Sequence, residues 1–141
     1  MTEFRQAYKP LTFMDTGKAV SIEPWLTLAK GEQAVTFYKS AFNAVETYRL
    51  ENPDGGFVVK LSINGADFWI SSEAHEARAN SPLGGDSLRL ILVVDDPDTL
   101  FAQALKAGAT EVFPVGEGHG WRLGRLSDPF GLHWEIGHQL S

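Results

Sequence analysis

The sequence predicts an α+β fold: two β-α-β-β-β modules forming a curled mixed sheet around a cavity, with the helices on the outer face. Three observations carry this. Two stretches place apolar residues at helical spacing, Ala34, Phe37, Tyr38, Ala41 and Phe42 in one, Leu100, Phe101, Ala104 and Leu105 in the other. Each stretch follows one strand-like segment and precedes three more. The order also recurs at a fixed interval, since the turn at Asp128 lies 64 residues after the turn at Asn64, and Ala109-Thr110-Glu111 follows Ala44-Val45-Glu46 at a similar distance.

Residues 1–20 show no clear period and read as an N-terminal extension. The first module is expected over 21–72. Its first strand runs from Ile22 to Leu28, with Glu23, Trp25 and Thr27 on one face and Pro24, Leu26 and Leu28 on the other. A helix over Gly31–Phe42 follows, then strands over Val45–Glu51, Phe57–Ile63 and Asp67–Ser72. Asn64-Gly65 is a hairpin signal between the last two. Residues 73–86, with Asn80-Ser81-Pro82 and Gly84-Gly85, read as a linker. The second module is expected over 87–138. Its first strand is Leu88–Val94; Asp96 caps a helix that has Pro97 in its first position and stops at Gly108. Strands over Thr110–Pro114, Trp121–Ser127 and Leu132–Gly137 complete it, and Gly116 to Gly120 reads as a flexible loop.

Composition narrows the function. Apolar content of 43% and charged content of 21% are those of an ordinary globular domain. The chain has no cysteine, which removes disulfides, thiolate metal sites and a cysteine nucleophile, and fits a cytoplasmic protein. A net charge of −6 disfavours nucleic acid and anionic membranes, and no signal peptide or long apolar run is present. The glycines of 116–120 lack phosphate-loop spacing, so no nucleotide site is expected. Asp95, Asp96 and Asp98 stand at a helix start, where capping accounts for them.

Asp128-Pro129-Phe130-Gly131 followed by Leu132-His133-Trp134-Glu135-Ile136 is a tight turn feeding a strand. Period-2 alternation puts Trp134 and Ile136 on the core face, leaving His133 and Glu135 toward water or a cavity. Trp25 and Trp69 offer either a stacking surface for a planar or cationic ligand or ordinary core bulk. Trp121, beside the glycine loop, reads as a rim residue. His119 in that loop is either a proton carrier or an inert surface histidine.

Pro24-Trp25-Leu26, the Phe37-Tyr38 and Ala41-Phe42 pairs, and Asp128-Pro129-Phe130-Gly131 with Trp134-Glu135-Ile136 resemble the vicinal oxygen chelate superfamily. Within it they look like the PhnB-like, glyoxalase/bleomycin-resistance branch, over roughly 21–138. Metalloenzymes of that family hold a divalent ion with one side chain from the first and last strand of each module. Carried over by position, these fall on Glu23, Ser71, Arg89 and Glu135. Glu135 suits the role and Glu23 is chemically able. Ser71 is a poor ligand, and Arg89 cannot bind a metal because guanidinium has only donors. The resemblance therefore implies a metal-free protein without a cofactor, in which Arg89 pairs with Glu135, Glu23 or both. It would sequester a small organic molecule, aromatic or cationic, in a cavity lined by Glu23, Trp25, Trp69, Ser71, Arg89, Trp121, His133 and Glu135. The alternative is a divalent-metal lyase or isomerase with Glu135 as ligand and candidate catalytic base, its metal held by Glu23, His133 and Glu135. A homodimer is expected from the same resemblance.

Overall fold

The computed structural model describes residues 20–72 and 88–140; residues 1–19 of the N-terminal extension, and the linker with His75, lie outside the described residues. The elements are β1 Trp25–Leu28, α1 Gly31–Phe42, β2 Val45–Glu51, β3 Phe57–Ile63, β4 Ala66–Ser72, β5 Arg89–Val93, α2 Pro97–Ala107, β6 Thr110–Gly118, β7 Trp121–Ser127 and β8 His133–Gln139. They form two four-stranded sheets, ordered β1-β4-β3-β2 and β5-β8-β7-β6. In each, the first strand runs parallel to the last and the remaining pairs are antiparallel. The two β-α-β-β-β modules and the mixed α+β class are as the sequence predicts. No helix among the described residues is long and apolar enough to cross a membrane.

Two boundaries differ by more than two residues. β1 opens at Trp25 rather than Ile22, because Pro24 has no N–H to give a ladder. β6 continues through Gly118, where a flexible loop was expected. Backbone pairing of Gly116 with Leu123, Glu117 with Arg122 and Gly118 with Trp121 holds the glycines in a hairpin. The connection is only His119-Gly120, both at positive φ (54° and 82°), as two-residue hairpin turns of the primed types require. Asn64-Gly65 makes the equivalent turn between β3 and β4, at 52° and 98°.

Helix α1 can approach β4 because it begins on Gly31, where a Cβ would stand 2.5 Å from Ser72 Cβ. Its C-cap, Asn43, takes the left-handed conformation at φ 61°. Asp96 caps α2 as expected, accepting from the Thr99 amide at 3.2 Å. The two helices pack on each other, and Gln103 of α2 donates to the Ser40 carbonyl and the Asn43 side chain of α1 at 2.9 and 3.0 Å.

One continuous core joins the modules. Tyr38 and Phe42 of α1 meet Trp134 of β8 at ring-centroid distances of 5.6 and 4.8 Å, and Phe68 of β4 meets it at 5.8 Å. At their centre is the buried carboxylate of Asp128. Its Oδ1 accepts the amides of Phe130 and Leu132 at 2.9 and 3.0 Å, and its Oδ2 accepts the Trp134 indole N–H at 2.9 Å. The turn signal read in the sequence is thus also a core anchor. The helices and core occupy one face of each sheet, and the candidate site residues lie on the other.

Candidate ligand-binding site

Along β8 the alternation is as expected, with Trp134 and Ile136 in the core and His133 and Glu135 on the face away from the helices. Parallel pairing sets Arg89 beside His133 and Ile91 beside Glu135. From there the Arg89 side chain reaches diagonally, and its Nε lies 2.7 Å from Glu135 Oε2. Guanidinium and carboxylate form a close ion pair, with the Glu135 side chain only 12% exposed. On the other flank, Arg125 Nε donates to His133 Nδ1 at 3.0 Å. That bond requires a bare Nδ1, so the ring carries its proton on Nε2.

Beside this cluster runs a trough of about 560 Å³, lined by Ile91, Phe113, Pro114, Trp121, Leu123 and Glu135 with residues 116–119 of the β6 hairpin. Its volume is that of sites for drug-sized molecules. The lining is mostly apolar, and Ile91 and Phe113 are 56% and 40% exposed. Trp121 stands on the first residue of β7 among the lining residues, on a strand and not beside the flexible loop expected there.

The first module presents a different surface. Trp25 and Trp69 are strand partners and stack at 5.8 Å with an interplanar angle of 19°. Trp25 Nε1 donates to Ser71 Oγ at 3.1 Å, and Ser71 Oγ bonds Thr27 Oγ1 at 3.1 Å. Trp69 Nε1 donates to Glu23 Oε1 at 2.8 Å, and Lys60 lies 3.7 Å from Glu23 and 3.5 Å from Asp67. Lys60 also sits 5.3 Å above the Trp69 ring, and the Tyr48 edge meets that ring at 5.8 Å. Neither tryptophan is a core residue; Trp25 is 54% exposed.

The strand registers correct one positional assignment. Trp25 pairs with Trp69 as Arg89 pairs with His133, and Thr27 with Ser71 as Ile91 with Glu135. The counterpart of Arg89 is therefore Trp25, not Glu23, which precedes β1. The same diagonal contact occurs in both modules: Trp25 to Ser71 in one, Arg89 to Glu135 in the other. The residues assigned to one cavity divide in the same way. Trp121 and Glu135 line the trough with Arg89 and His133 alongside, while Glu23, Trp25, Trp69 and Ser71 cluster on the first sheet. A smaller cavity of about 260 Å³ at the module boundary includes Glu23, Leu90 and Ile91. Ile91, Phe113, Pro114 and Leu123 were not singled out from the sequence. Period-2 alternation from Arg89 and from Trp121 would have found Ile91 and Leu123. Phe113 follows a register shift in β6, which no pattern announces.

A divalent metal does not fit the positions that the repeat makes equivalent. Trp25, Ser71, Arg89 and Glu135 offer one carboxylate and one hydroxyl, beside an indole and a guanidinium that have no lone pair to give. Among the described residues no three His, Cys, Asp or Glu side chains form a group that could hold a metal ion.

The model of the glyoxalase-like domain family matches residues 26–136, and the chain belongs to that family. An uncharacterized protein of Mycobacterium bovis is 36% identical over 128 residues, covering 85% of this chain and 84% of its own. Among solved structures, a glyoxylase/bleomycin resistance protein/dioxygenase domain from Frankia sp. superimposes with a TM-score of 0.70 at 15% identity, over 87% of this chain and 99% of that one. The fosfomycin resistance protein FosX of Listeria monocytogenes gives 0.69 at 14% identity, over 89% and 96%. These likenesses show that the fold is shared with those proteins.

Proposed function

We propose that this protein binds and sequesters a small organic molecule in the trough of its second module, without a metal, as a cytoplasmic homodimer of the PhnB-like branch. The observation that carries the reading is the 2.7 Å contact between Arg89 and Glu135. Glu135 is the one carboxylate at a position where the family's metalloenzymes keep a ligand, and a guanidinium already engages it. A cation placed there would face that fixed positive charge at close range. What is left for function is a concave, mostly apolar surface of ligand size with Glu135 in its lining.

Dialysis against Ni²⁺, Zn²⁺ or Mn²⁺ followed by elemental analysis tests the reading. The expected result is no stoichiometric metal. A full equivalent that disappears in a Glu135→Ala variant would overturn it in favour of a metal-dependent lyase or isomerase. Gel filtration with light scattering should give the mass of two chains, and a monomer across the micromolar range would remove the homodimer.

A further inference from the structure

Resting on the trough as a binding site, we infer that its ligand is a neutral, flat, largely apolar molecule carrying a hydroxyl or similar group that both donates and accepts a hydrogen bond. Two observations fix this chemistry.

The first is charge compensation. Among the described residues the lining has two carboxylates, and Arg89 neutralises one of them, Glu135, at 2.7 Å. The other acid of the lining, Glu117, lies 3.4 Å from Arg122 with its side chain 58% exposed, so water solvates it. His119 is the remaining titratable group and sits at the tip of the hairpin. A ligand cation would have to compete with Arg89 for Glu135, and a ligand anion would meet that carboxylate across an apolar lining. Burying either charge without a partner is costly. A neutral donor costs little, because a carboxylate paired with one guanidinium still has lone pairs to share.

The second is the state of the indole groups. Trp25, Trp69 and Trp134 spend their N–H groups on Ser71, Glu23 and Asp128. Trp121 lines the trough, and among the described residues its N–H has no protein partner. A donor kept unspent beside an apolar surface calls for an acceptor on the ligand. Trp121 and Glu135 line the same trough, and a hydroxyl can accept from the one or donate to the other. The rings of Trp121 and Phe113 with Leu123 and Ile91 supply the apolar contact for a flat body.

A matched set of probes tests this at neutral pH by isothermal titration: 2-naphthol, 2-naphthoate and 2-naphthylmethylammonium, which share one ring system and differ in charge. Binding of 2-naphthol roughly tenfold tighter than either ion is the expected result. Trp121→Phe keeps an aromatic ring and removes the N–H, and should weaken 2-naphthol several-fold with an unchanged melting temperature. Arg89→Met, at a half-exposed side chain, strips Glu135 of its counter-charge and should move the preference to the ammonium. An ion that binds the unaltered protein as tightly as 2-naphthol overturns the inference while leaving the trough a binding site. So does unchanged 2-naphthol affinity in Trp121→Phe. If none of the probes binds at millimolar concentration, the trough is not a small-molecule site, and both readings fall.

Discussion

The hydroxyl of Tyr38 in α1 donates to Asp128 Oδ2 at 2.5 Å, so a helix of the first module completes the hydrogen bonding of a buried carboxylate in the second. With the Phe130 and Leu132 amides and the Trp134 indole, Asp128 has four donors for its two oxygens. Tyr38→Phe removes one and leaves the others, and should cost about 1–3 kcal/mol in urea denaturation. Burial, and then the neighbouring Asp128 charge, push the Tyr38 phenol well above its ordinary 10.0. The folded state therefore holds this proton more tightly than the unfolded chain. Its contribution is complete below pH 10 and is lost as pH rises from there toward the raised folded value. The parent protein should lose stability with pH in that alkaline window, and Tyr38→Phe should show a shallower decline.

Arg89 and Glu135 should behave as a unit. Arg89→Leu leaves a nearly buried carboxylate without its counter-charge and should destabilise by about 1–3 kcal/mol. The double variant Arg89→Leu with Glu135→Leu should recover most of that loss, because no polar group is then stranded. Chemical denaturation of the singles and the double gives the coupling directly. Equal losses in Arg89→Leu and the double would show that the arginine contributes through packing alone.

Two glycines near the trough should respond differently to alanine. A Cβ at Gly124 would stand 2.8 Å from Val115 Cγ2 and 2.9 Å from the Phe101 ring, so Gly124→Ala should cost about 1–3 kcal/mol through overpacking of α2 on its sheet. Gly116 has nothing within 4 Å, and Gly116→Ala should stay within ~0.5 kcal/mol. Thermal melts of the two variants compare them.

At the β6–β7 hairpin, His119 occupies the left-handed region at φ 54°, a position that Asn fills with less strain. His119→Asn should hold or slightly raise the melting temperature, and Gly120→Ala, at φ 82°, should lower stability by about 1–2 kcal/mol.

Local patterns are legible in the sequence, and distant pairings only where the repeat aligns them. Helix α1 and strands β2, β3 and β7 begin and end where periodicity and turn residues put them, since those signals act over a few residues. The glycines at 116, 118 and 120 misled because backbone hydrogen bonds to β7, not side chains, keep that segment extended. The partnership of Arg89 with Glu135 was legible once the repeat had aligned the modules. Glu23 was placed on a strand because the alternation continues through Pro24, and only the parallel register shows Trp25 in the equivalent role. The division of the expected cavity into an aromatic cluster and an apolar trough depends on which strands share a sheet, a long-range property that no local spacing encodes.

The Tyr38–Asp128 bond also bears on how this chain can be taken apart. Although the sequence repeats, the two halves share one core and this hydrogen bond. A polypeptide ending before the second module would leave the Tyr38 phenol without its acceptor and the Trp134 ring, and one beginning after the first would leave the Asp128 carboxylate one donor short. Engineering by fragment exchange, split reporters or shuffling of half-domains should treat the two modules as a single inheritance, cut only where both sides of that bond travel together.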